Sequence, residues 1–185
     1  SLKDELEKLL KELKEHVDRS EKKARENLKR LEEHVRKSKE ELEDRLRRIE
    51  EKVKRLTESN LRKEDVKRVL EEVRKELKRI LDDVRADHRR LEEHLKRSVK
   101  ELEDDNEKLE RDARRIEEKL RRSNVPEEMV ERAIRKLEDI HRRHREVVER
   151  VEREHRRIKE EHEKVVREAE ETLKRIIEDL RRSAD

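Results

Sequence analysis

The residues with chemical options in this chain are its eight histidines: His16, His34, His88, His94, His141, His144, His155 and His162. No cysteine, tyrosine or tryptophan competes with them for a role. The segments "LKRLEEHVRKSKEELED" (28–44) and "HRRLEEHLKRSVKELED" (88–104) both carry His-x-x-x-Ser, as His34/Ser38 and His94/Ser98, and His16/Ser20 repeats the unit. An imidazole beside a hydroxyl can activate a nucleophile. Several imidazoles around one axis can ligate a metal. A neutral imidazole, with one donor and one acceptor, can also sit in a buried hydrogen-bond network.

The three chemistries need different surroundings. Hydrolysis requires an oxyanion hole and a substrate cavity, which a tight helical core does not offer, so no enzymatic activity is expected. A trigonal zinc or copper site at His34, His88 and His162 is the main alternative, and Glu152/His155 matches a Glu-x-x-His ligand pattern. Metal-bound histidines usually have a carboxylate on the far ring nitrogen, and the apolar stripe looks nearly free of carboxylates. Hydrogen bonding fits better, because the companions of the histidines on that stripe are Ser20, Asn27, Ser38, Ser98 and Asn106. No resident metal or other cofactor is expected.

Those side chains must be held by helices. Of the 185 residues, 60% are charged and 28% hydrophobic, with no glycine, no aromatic residue and a net charge of only +3. The apolar fraction matches the two-in-seven supply of one narrow stripe per helix. Leucine, isoleucine and valine recur on that stripe every 18 residues, as Val17/Val35/Val53, Leu13/Leu31/Ile49 and Ile140/Ile158/Ile176. Eighteen residues in five turns is the period of a straight helix. Only two segments interrupt it, Thr57–Val66 and Arg121–Val130. In them Asn60 and Asn124 are expected to end helices in the left-handed conformation, and Pro126 to open the third helix at its first position.

The expected fold is therefore all-α: a single-chain antiparallel three-helix bundle of long, nearly straight, coiled-coil-like helices. They span about 2–58, 63–122 and 126–183, each about 85 Å long at 1.5 Å per residue, with 1–185 forming one bundle. Acidic and basic residues are interleaved, so no one-signed patch for nucleic acid is visible. No apolar run approaches a membrane span, and no secretory leader is expected at the N-terminus. With no second apolar face, a monomer is the expected state and no partner is obligatory, self-assembly through the outer surface aside. No signal assigns a compartment.

Antiparallel pairing says which polar residues share a level. Through the first loop paired numbers sum to about 120, through the second to about 249. His16 then meets Asn106, His141 and His144. Asn27 meets His94 and His155, with Ser20 and Ser98 close by. His34 and Ser38 meet His88 and His162. All eight histidines are expected in the core, in three polar layers, with apolar stretches at both ends.

On these residues the chain resembles computationally designed helical bundles, and most closely those with buried histidine networks. That resemblance implies no natural biochemical activity and a bundle built to loosen or rearrange on acidification.

Overall fold

A computed structural model describes residues 2–59 and 62–184. Three helices occupy nearly all of it: α1 (Leu2–Glu58), α2 (Lys63–Arg122) and α3 (Glu127–Ala184). The bundle of three long helices is as expected, with boundaries within one residue. Each helix carries acidic residues in its first turn and basic residues in its last, complementing the partial charges of the helix ends.

The two connections are built differently from the expectation. No described residue has positive φ, so Asn124 does not close α2 in the left-handed conformation. Instead Ser123 folds back: its N–H and its Oγ both donate to the Leu120 carbonyl, at 3.3 and 2.8 Å. The hydroxyl does the work a left-handed residue would have done, and the chain then runs on without regular structure through Pro126. Pro126 lies one place before the helix. Its carbonyl accepts from the Met129 and Val130 N–H groups, which makes it the capping residue rather than the first helical one. Arg62 plays the equivalent part for α2, its carbonyl accepting from Val66 N–H at 3.1 Å. Asn60 lies outside the described residues.

The chain forms two compact units, and each takes a piece of every helix. Unit 1 comprises Ser1–Arg30 and His94–Arg156; unit 2 comprises Leu31–Glu93 and Arg157–Asp185. Among the described residues unit 1 contains two apolar clusters. One is Leu10, Ile116, Leu120, Ala133 and Leu137; the other is Ala24, Leu102, Val147 and Val151. Unit 2 has a larger continuous cluster, from Leu42, Leu46 and Ile49 on α1 through Val73, Leu77 and Ile80 on α2 to Ala169, Leu173, Ile176 and Leu180 on α3. Each fully buried Leu or Ile contributes about 1.5–3 kcal/mol, so these clusters hold the helices together and fix the level of the polar residues among them. The side chains Ile80 and Ile158 are completely buried.

Candidate functional site

The three buried histidines all lie on α3: His144, His155 and His162. Spacings of 11 and 7 residues are close to whole turns at 3.6 residues per turn, so one face of α3 presents all three inward. His16, His88 and His141 are half-buried, whereas His34 and His94 are exposed. The expectation of eight core histidines is corrected here. A stripe more than 100° wide has edges, and a residue at the edge reaches solvent along its own helix.

Unit 2 holds the most connected polar group, and its centre is Asp87. His34 Nε2 donates to Asp87 Oδ1 at 2.8 Å, and Ser38 Oγ donates to Asp87 Oδ2 at 2.9 Å. From α3, His162 Nε2 donates to Asp87 Oδ2 at 3.3 Å. The Nδ1 atoms of His162 and His88 approach to 2.7 Å, and His88 Nε2 lies 2.9 Å from Glu92 Oε1. The expected layer of His34, Ser38, His88 and His162 is thus assembled from all three helices, through a carboxylate absent from the expected set. Burial alone would raise Asp87, but the bonds from His34, Ser38 and His162 outweigh it and hold the carboxyl below its ordinary value. Burial pushes His162 down; the Asp87 carboxylate opposes this in part, and His88 and His34 add to it.

Unit 1 is organised differently. His144 Nδ1 donates to Asn106 Oδ1 at 3.2 Å, while its Nε2, though buried, has no partner. Burial lowers its proton affinity; Asp105 raises it, and His16 and His141 lower it further. His141 turns aside to Glu110, its Nε2 donating at 3.0 Å. His16 lines an open groove of about 440 Å³ with Leu13, Leu109 and Asp112. Deeper in unit 1, Ser20, Asn27, Ser98 and His155 line a pocket of about 50 Å³. Among the described residues no hydrogen bond joins these four side chains, and His155 Nδ1 is buried without a partner. Burial, with a smaller contribution from His94, pushes His155 below the usual imidazole range.

The expected layers therefore differ in outcome. That of His34, Ser38, His88 and His162 is joined, that of His16, Asn106, His141 and His144 is joined only in part, and in the third Asn27 and His155 line one pocket without bonds while the exposed His94 is not part of its lining. His34, His88 and His162 do not converge on one point, because Asp87 stands between His34 and His162. Among the described residues one trio brings ligand-type atoms within 4.8 Å of one another, His88, Glu92 and Glu163. Glu92 in that trio is already engaged by His88 and, at 3.8 Å, by Lys159 Nζ.

Comparison with known proteins adds little. No protein-family model matches the chain, and no curated protein resembles it at a significant level. Among solved structures, one described as a computationally designed three helix bundle superposes with a TM-score of 0.43 and 18% identity, over 99% of this chain and 88% of that one. Likeness at that level supports no conclusion about this chain's activity or origin. No helix among the described residues is long and apolar enough to cross a membrane.

Sequence reasoning missed Asp87, Glu92 and Glu110. Register would have found Asp87, since 87 and 162 sum to 249 and 87 and 34 to 121, next to the pairing sums for the two loops.

Proposed function

We propose that this chain is a structural scaffold of the designed-bundle kind, monomeric and without catalytic activity, whose cohesion depends on buried imidazoles staying neutral. The uniform composition, the 18-residue recurrence and the absence of glycine and aromatic residues favour that class. One observation carries the acid-responsive part: His144, His155 and His162 are buried, and each is held below its ordinary value chiefly by that burial.

In the unfolded chain these rings take up protons near pH ~6.5. In the folded chain they do so only at lower pH. Between those limits the unfolded state binds more protons, so stability is complete above about pH 6.5 and falls as pH drops towards the folded values. The unpartnered Nε2 of His144 and Nδ1 of His155 make the consequence concrete, because protonation there creates a charged N–H with no acceptor. A second window lies lower. Asp87 contributes stability above about pH 3.9 that is lost as pH falls through its depressed folded value.

Circular dichroism melts between pH 8 and pH 4 test the proposal. The melting temperature should hold steady down to about pH 6.5 and then fall. A melting temperature unchanged at pH 4.5 would refute the acid response.

A further inference from the structure

The hydrogen bonds around His162 fix which nitrogen of the neighbouring His88 ring carries its hydrogen. Asp87 is a carboxylate held below its ordinary value, so it accepts and does not donate. His162 Nε2, 3.3 Å from Asp87 Oδ2, therefore carries the hydrogen of its ring, and His162 Nδ1 is left as an acceptor. His88 Nδ1 lies 2.7 Å from that acceptor and supplies the hydrogen between them. The two ring planes are within 4° of parallel, with centroids 4.9 Å apart. Rings in face contact keep their atoms about 3.5 Å apart, so the closer Nδ1 approach is edge to edge, as an in-plane bond requires. Two neutral imidazoles satisfy both bonds, and the second nitrogen of His88, Nε2, keeps a free lone pair.

That lone pair lies among carboxylates. Glu92, four residues on from His88 along α2, brings Oε1 to 2.9 Å from Nε2. Glu163, next to His162 on α3, completes a trio whose ligand-type atoms all lie within 4.8 Å of one another. All three residues belong to unit 2. Two ligands bonded to one ion at about 2.1 Å, at right angles, stand about 3.0 Å apart. The spacing of His88 Nε2 and Glu92 Oε1 is of that size.

We propose that His88 Nε2 and the carboxylates of Glu92 and Glu163 bind one divalent transition-metal cation of the zinc type, with water completing its coordination. One imidazole and two carboxylates make a borderline donor set. It offers no thiolate for a soft ion and too few oxygens for calcium. Metal-bound histidines are oriented by a partner on the far ring nitrogen, and His88 has one: its Nδ1 donates to His162, which is buried and anchored on Asp87. The site is not the trigonal arrangement of His34, His88 and His162. Here one imidazole ligates, and His162 and Asp87 stand behind it. Lys159 Nζ, 3.8 Å from Glu92, is a loose partner on an exposed side chain, and the ion displaces it. The site goes beyond the scaffold reading and does not depend on the acid response.

Calorimetric titration of zinc chloride into the untagged full chain, stripped of metal and held at pH 7.5, tests the site. One equivalent should bind saturably. With free zinc at about 100 times the measured Kd, the folding equilibrium constant should rise about 100-fold. Glu163→Gln and Glu92→Gln should each weaken binding about tenfold or more, and Glu163→Gln should melt like the parent in chelator. Nitrogen-15 ring spectra give a readout independent of affinity: zinc should shift His88 Nε2 most, while His88 Nδ1 and His162 Nε2 keep their hydrogens. The pair of His141 and Glu110, at 3.0 Å, is a control within the same chain, and Glu110→Gln should leave zinc affinity unchanged. Absence of saturable binding would overturn the proposal, as would several weak equivalents spread over surface carboxylates. So would one equivalent that binds both glutamine variants of the site as well as the parent, that leaves the His88 ring unshifted, or that is lost in Glu110→Gln, each of which places zinc elsewhere.

Discussion

Units 1 and 2 bury the same residue in opposite company. In unit 1, His144 faces an asparagine and His155 a pocket of serines and asparagine, each with a ring nitrogen left over. In unit 2, His162 faces the carboxylate of Asp87 and the ring of His88, and both its nitrogens are engaged. A neutral hydrogen-bond partner returns little of the cost of protonation, because the ring gains a charge in a poor dielectric and a donor without an acceptor; for His144 only the charge of Asp105 acts the other way. A carboxylate returns part of that cost as a charge-assisted bond. Burial alone therefore does not set how strongly a histidine answers acid; the chemistry of its partner does. Unit 1 should loosen first as pH falls.

The largest effect should come from removing that carboxylate. Asp87→Ala takes away the acceptor for His34, Ser38 and His162 and leaves the buried Nε2 of His162 without a partner. Urea unfolding at pH 8 should show a loss of about 2–3 kcal/mol, and the variant should become more acid-sensitive than the parent above pH 4. A smaller loss would mean that unit 2 owes little to its anion. A second substitution sharpens the contrast by giving unit 1 what unit 2 has. Asn106→Asp places a carboxylate on His144 Nδ1, and at pH 5 the protein should gain about 1 kcal/mol over the parent, the excess of a charged over a neutral hydrogen bond. If the gain is absent, partner chemistry is not what separates the units. The smallest effect serves as a control. Arg143 pairs with Asp18 at 2.5 Å and Glu21 at 3.2 Å on the surface of unit 1, and Arg143→Ala should cost less than about 1 kcal/mol, with no change in acid sensitivity.

What the sequence made legible follows from what is rare in it. Helix number and boundaries could be read because a 3.6-residue period is broken only twice. Histidine, serine and asparagine are scarce on the stripe, so His34, Ser38, His88 and His162 could be assigned to one level and are found there. Carboxylates are not scarce. With 54 acidic residues in the chain, Asp87, Glu92 and Glu110 looked like ordinary surface, and only pairing register set Asp87 apart. Burial was legible only in part, because periodicity marks a face and not its depth. His144 and His162 stand 18 residues apart at the centre of that face and are almost fully buried, while His34 and His94 at its edge are exposed. The second loop depended on a serine hydroxyl reaching the Leu120 carbonyl, a local contact that competes with the left-handed asparagine on equal terms in sequence.

The central claim is that burial on α3 holds the proton affinity of three imidazoles below its ordinary value. A ring-resolved nuclear magnetic resonance titration of His144, His155 and His162 from pH 8 to pH 4.5 tests it most directly. All three should stay neutral at pH ~6.5, where free imidazoles are half protonated, and those of unit 1 should take up protons together with loss of helical signal. Titration of His144 and His155 at or above pH ~6.5, with the helices intact, would contradict it.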